Sequence, residues 1–131
     1  MDTKEKNYII PDCHVDDGFF VRTGEFHSKI LYKDILWVSA SSNYTDIHLL
    51  NGKAICVIYP LVKVEAFLPA TLFIRIHRSH IINIRAVDRF IGNILYIGKQ
   101  RLDISRPYRK LVFSCFDILE ERKRPFTGET E

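Results

Sequence analysis

The sequence has no long hydrophobic run. Its longest uninterrupted apolar stretch, Ala54 to Val62, is nine residues and contains Pro60, far short of the roughly 18 to 20 needed to cross a bilayer as a helix. That excludes a membrane-spanning helix, and no membrane partner is expected. Cysteine is equally sparse: Cys13, Cys56 and Cys115 are an odd count with no Cys-x-x-Cys pair, so neither a disulfide framework nor a thiolate zinc site is indicated. Cys56 and Cys115 lie in apolar runs and are expected to behave as small buried hydrophobes. The start of the chain, Met1 to Asn7, mixes acids and bases and leads into no apolar segment of the secretory kind. The cytoplasm is therefore the expected compartment. Low-complexity tracts and repeats of 20 to 50 residues are also missing.

What is present is ordinary globular material, 47% apolar and 27% charged. At 131 residues one domain can bury roughly two-thirds of its unfolded surface and fold without disulfides or metals. The net charge of +3 is small but unevenly spread. Between Phe73 and Lys110 stand Arg75, Arg78, Arg85, Arg89, Lys99, Arg101, Arg106, Arg109 and Lys110 against Asp88 and Asp103, a net of +7 that leaves −4 for the remainder. A basic half on a nearly neutral chain suits a polyanionic partner, although a merely solvated surface would look the same.

Short runs of β-branched and aromatic residues, bounded by Gly, Asn, Asp or Pro, predict a mainly β domain. About 8–10 short strands are expected, with one short internal helix and a C-terminal helix. Strands are expected at Gly18 to Arg22, Phe26 to Tyr32, Asp34 to Ala40, Tyr44 to Leu50 and Lys53 to Tyr59, then at Phe73 to His77, Ile81 to Ile84, Val87 to Ile91, Ile94 to Gly98 and Arg101 to Ile104. Asn51-Gly52 predicts a hairpin with a type I′ turn; Gly92-Asn93 and Gly98-Lys99-Gln100 predict two more turns. Leu61, Val64, Glu65 and Leu68 recur at helical spacing between Pro60 and Pro69. From Arg106 onward, Leu111, Val112, Cys115, Phe116 and Leu119 form one apolar face, with Ser105 as N-cap and an end expected among Glu120 to Arg124. The chain thus divides into an extension (1–17), a folded domain (18–124) and a polar tail (125–131).

Three polar clusters could meet a ligand. In Phe73 to Asn83 the apolar residues can face a core while Arg75, His77 and Arg78 reach outward, and an arginine fork matches phosphate oxygens or the O6/N7 edge of guanine. Ile104 to Lys110 spans a strand-to-helix junction, where free N–H groups favour an anion. Ser39 to Thr45 is a small-residue loop whose Asn43 and Tyr44 could enter a groove.

Taken in order, these segments resemble LytTR-type DNA-binding domains of bacterial transcription regulators. Asp34-Ile35-Leu36-Trp37-Val38, Ser42-Asn43-Tyr44-Thr45 with Ile47-His48, and Asn51-Gly52-Lys53 are similar to the family's opening half. Phe73 to Asn83 is close to its hallmark, and Ile104-Ser105-Arg106-Pro107-Tyr108-Arg109 resembles its closing motif, so the likeness covers about residues 18 to 116. The resemblance implies a fold of elongated antiparallel β-sheets and sequence-specific binding of double-stranded DNA through loops, not a recognition helix. It implies base contacts from Asn43, Arg78 and Arg106, and phosphate contacts from Ser79, Asn83, Tyr108, Arg109 and Lys110. His80 stands where the family more usually has an aromatic. A receiver domain or sensor-kinase pathway outside this chain, repeated DNA half-sites and pairing of two copies on DNA are the implied partners. No cofactor, catalytic residue or metal is implied.

His77-x-x-His80 on one strand would point to opposite faces with no third ligand nearby. His27 and His48 read as half-buried strand residues. Trp37 reads as core, and Arg75 suits an ion pair with Asp46 or Glu65 as well as a DNA contact. Nothing around Ser79 resembles a nucleophile elbow. The rival functions are a basic-faced protein-interaction module and a single-strand binder stacking bases on Tyr44, Tyr96 and Tyr108.

Overall fold

The computed structural model describes residues 12–120, of which 45% are strand. The order is β1 (Gly18–Thr23), β2 (Phe26–Leu31), a 3-10 turn (Tyr32–Asp34), β3 (Ile35–Ser41), β4 (Tyr44–Leu49), β5 (Ala54–Val57), α1 (Leu61–Glu65), β6 (Phe73–His77), β7 (His80–Asn83), a 3-10 turn (Ile84–Ala86), β8 (Arg89–Ile91), β9 (Ile94–Ile97), β10 (Gln100–Asp103) and α2 (Arg106–Phe113). All pairing is antiparallel. A five-stranded sheet runs β5-β4-β3-β7-β6, a two-stranded ribbon is β1-β2, and a three-stranded sheet runs β10-β9-β8. This is the mainly β architecture with a short internal and a C-terminal helix that the sequence pattern predicts.

Strand alternation divides the core in two, because successive residues of β3, β4 and β7 point to opposite faces of the central sheet. Val38, Ile47 and Ile81 meet Val21 and Ile30 of the ribbon and Leu61, Val64 and Leu68 around α1. On the other face Ile82 meets Leu95, Ile97, Leu102 and Ile104 of the small sheet and Val112 of α2, with Trp37 and Ile74 packed beside them. Leu68 belongs to the first core although α1 already ends at Glu65.

Several local expectations give way. The Asn51-Gly52 hairpin exists, but only Gly52 has positive φ (87°), and Gly52 N–H donates to the Leu49 carbonyl at 3.0 Å. That is a type I turn closed by glycine in a bulge, not type I′. Helix α2 stops after eight residues: beyond it the Cys115 and Phe116 N–H groups donate to carbonyls three residues back, Val112 at 3.0 Å and Phe113 at 3.3 Å, and the Ser114 hydroxyl donates to the Leu111 carbonyl at 2.6 Å. Leu111, within α2, and Cys115, beyond it, are exposed and Leu119 fully so, while Val112 is buried. Ser105 precedes α2 without a side-chain cap bond; its backbone N–H is directed elsewhere, as described below. Cys56 is exposed too, since β5 turns Ile55 and Val57 inward and Ala54 and Cys56 outward. The 125–131 tail and most of the 1–17 extension lie outside the described residues.

Candidate nucleic-acid interface

One end of the five-stranded sheet gathers the polar clusters. Strands β3 and β4 pair through Ser41 and Tyr44, leaving Ser42-Asn43 as a two-residue turn. Strand β7 is antiparallel to β3 with His80 opposite Ser39, and β6 reaches β7 through the pair His77 and His80, leaving Arg78-Ser79 as a second two-residue turn. Both turns leave the sheet at the same end, and Ala40 N–H donates to the Ser79 carbonyl at 2.9 Å, tying one to the other. A register shift between Arg75 and His77 leaves Ile76 unpaired on β6. A bulge of that kind frees a carbonyl from the ladder, and here the Ser105 N–H donates to Ile76 O at 2.9 Å. Helix α2, beginning with Arg106, therefore starts beside the base of the Arg78 turn.

Asn43, Arg78 and Arg106 are all exposed, and among the described residues none has a side-chain hydrogen-bond partner. Ser42 has φ 60°, the one non-glycine residue with positive φ among the described residues. Positive φ at the first central position is the type II′ pattern, whose twist matches the flanking strands, and it sets the direction in which Asn43 leaves the sheet. Tyr44, next in the chain, is 45% exposed. Of the expected phosphate contacts, Lys110 is exposed, while Ser79, Tyr108 and Arg109 are half-buried. Tyr108 packs against the second core, and Arg109 Nε donates to the Ile104 carbonyl at 3.0 Å.

Asn83 is a correction. It is 3% exposed at the opposite end of β7, its amide donates to Ile35 O at 2.9 Å, and its Oδ1 accepts from Arg85 N–H at 2.9 Å. Buried and engaged through both its nitrogen and its oxygen, it serves the fold and is out of a phosphate's reach.

A family model described as the LytTr DNA-binding domain matches residues 27–117. The chain belongs to the LytTr DNA-binding domain family. Among solved structures, one described as the LytTr DNA-binding domain of a putative methyl-accepting/DNA response regulator from Bacillus cereus is 19% identical to this chain and superimposes with a TM-score of 0.64, covering 76% of this chain and 96% of that one. At that identity the likeness concerns the fold. A comparison with curated proteins finds no match.

Within this LytTr domain, Arg75 resolves its own ambiguity. Its Nη2 donates to Glu65 Oε1 of α1 at 2.6 Å and its Nη1 to the Arg78 carbonyl at 2.7 Å. The periodicity of the sequence carried no sign of that second bond, because it depends on the turn geometry of residues 77 to 80.

Of the histidines, His48 is the half-buried strand residue expected, whereas His77, His80 and His27 differ from expectation. His77 and His80 face each other across the hairpin with ring centroids 5.2 Å apart, not on opposite faces of one strand, since the chain reverses between them. His77 Nδ1 accepts from Ser79 N–H at 3.0 Å, and His80 Nδ1 is buried without a partner. Burial pulls the His80 pKa down, and the neighbouring His77 and His48 add to this while Asp103 opposes it. His48 stacks on Trp37 at 4.1 Å and shares a 2.8 Å hydrogen bond between Nε2 and Ser39 Oγ. Its pKa is likewise pulled down by burial, with Asp46 acting in the opposite sense. His27 is exposed rather than half-buried. Among the described residues no group of three or more His, Cys, Asp or Glu could hold a metal ion, and no helix is long and apolar enough to cross a membrane.

Proposed function

We propose that this LytTr domain binds duplex DNA in a sequence-specific way as the output of a transcription regulator, reading bases from turns. Asn43, Arg78 and Arg106 are the base-reading side chains, and Ser79, Tyr108, Arg109 and Lys110 grip phosphates. The observation that carries this reading is the pair of backbone bonds, Ala40 to Ser79 and Ser105 to Ile76, which tie two exposed turns and a helix start together at one sheet end. An asparagine amide and arginine forks are the groups that match adenine and guanine edges in the major groove. Helix α2 is ill suited to the role of a recognition helix: it has eight residues, and Val112, Tyr108 and Phe113 on it are engaged by the second core.

Affinity would come from phosphate neutralisation and specificity from a few base edges, so binding should be steeply salt-dependent. The partners fitting such a module are repeated half-sites that bring two copies together, a receiver domain, and a two-component pathway in the bacterial cytoplasm. The stacking alternative loses ground because Arg89 lies over the Tyr96 ring at 4.6 Å and Tyr108 is packed on the core. Selection of bound sequences from a random duplex library tests the proposal. A recovered motif that outcompetes single strands and acidic protein supports it, whereas recovery of no motif, or equal competition by acidic protein, would sink it.

A further inference from the structure

The Arg78–Ser79 peptide, the centre of the exposed turn, is gripped at both ends. Its carbonyl accepts from Arg75 Nη1 at 2.7 Å and its N–H donates to His77 Nδ1 at 3.0 Å. Arg75 is in turn held by the Glu65 carboxylate of α1 at 2.6 Å, with side-chain exposures of 20% for Arg75 and 40% for Glu65. We infer that Arg75 is a positioning residue for base reading: braced by Glu65, it fixes the plane of the Arg78–Ser79 peptide and so aims the Arg78 side chain. The inference rests on the proposed DNA-reading role of Arg78 and adds to it the residues that make that role geometrically possible.

The chemistry favours arginine for this task. A guanidinium is a rigid planar fork that can serve two acceptors in fixed directions at once, whereas a lysine ammonium on a flexible stem cannot hold both in one plane. A central peptide of a two-residue turn lacks the ladder bonds that restrain strand peptides, so rotation about it would swing the Arg78 Cα–Cβ bond away from its target. Arg75 is a cation beside another cation, and pairing with Glu65 offsets its charge locally. What it contributes to Arg78 is therefore orientation and not added attraction for phosphate.

The test uses the duplex recovered by library selection, a random duplex of equal length, and the full chain carrying Arg75→Lys, Arg78→Ala or both. Arg75→Lys keeps the charge, so random-duplex affinity should stay within about twofold while the selected duplex loses about tenfold, an interaction of the size that contacting residues show in double-mutant cycles. In the Arg78→Ala background the extra loss from Arg75→Lys should vanish, which a general structural role would not produce. Glu65→Gln keeps an acceptor for Arg75 and should stay near wild type, while Glu65→Ala should reproduce part of the selective loss even if Arg75→Lys folds poorly. Equal loss on both duplexes, or a loss that persists in full without Arg78, overturns the inference. If Arg78→Ala alone weakens both duplexes equally, the failure lies instead with Arg78 as a base reader.

Discussion

The two ends of the five-stranded sheet use the same residue types for opposite purposes. At one end Asn83 buries its amide between the Ile35 carbonyl and the Arg85 N–H; at the other, Asn43 stands exposed on a turn. The arginines repeat the contrast within one hairpin, where Arg75 is tied to Glu65 and to the Arg78 carbonyl and the Arg78 side chain has no partner among the described residues. What separates fold from function here is whether unpaired backbone groups lie within reach of the side chain. Buried carbonyls and amides must find partners, so polar side chains near them are consumed, and those beyond the last ladder bond remain available for a ligand.

The largest effect should follow from Asn83→Ala. Removing the amide leaves a buried carbonyl and a backbone N–H without partners, which costs about 2 to 3 kcal/mol of stability. Urea unfolding should register that loss, while the ratio of affinities for selected and random duplex stays at the wild-type value. A changed ratio at unchanged stability would break the contrast between the two ends. Arg106→Ala is the converse case: about 1 to 3 kcal/mol lost on the selected duplex and one base position relaxed, with an unaltered unfolding midpoint. Titrations against duplexes varied at each position check this, and equal losses on specific and random DNA would remove Arg106 from the base-reading set.

How much of this was legible beforehand follows the same division. The ten strands, the hairpins at Asn51-Gly52, Gly92-Asn93 and Gly98 to Gln100, and the two helices follow from alternation, turn residues and 3.6-residue spacing, because those signals are local. The helix end is not legible because the apolar pattern continues to Leu119 while the backbone turns to bonds three residues back after Phe113. Cys56 was misplaced because an apolar run without alternation does not reveal which residues face inward on an edge strand. Asn83 and Asn43 are indistinguishable as letters; their difference arises from Ile35, 48 residues away in the chain from Asn83. The His77 and His80 geometry likewise depended on where the strand broke, which a two-residue turn without glycine or proline does not announce.

A smaller effect is expected from Lys110→Ala. Lys110 is exposed in the last turn of α2, so its loss should weaken selected and random duplexes alike and lower the salt slope by about 1. Affinity measured over a series of salt concentrations decides the matter. A loss confined to the selected duplex would move Lys110 from phosphate gripping to base reading.

The smallest effect is a pH dependence that pulls stability and DNA affinity apart. Burial lowers the pKa of both His48 and His80 below the ordinary 6.5. Between the folded and unfolded values the unfolded chain binds more protons, so stability rises with pH in that window and is lost as pH falls from about 6.5 through the folded values. His80 lies in the hairpin that carries Arg78, so a proton there adds positive charge at the end of the sheet proposed to face DNA. Phosphate nearby would favour that proton, and affinity for any duplex should therefore increase as the pH drops while the unfolding midpoint declines. Paired measurements of urea unfolding and random-duplex affinity at several acidic and neutral pH values test the divergence. His80→Gln should flatten both trends in part, because His48 retains its own share of the stability slope. If stability and affinity fall together below pH 6.5, the polar row behind the turns serves the fold alone, and the boundary between the two ends lies closer to the tip than Arg78.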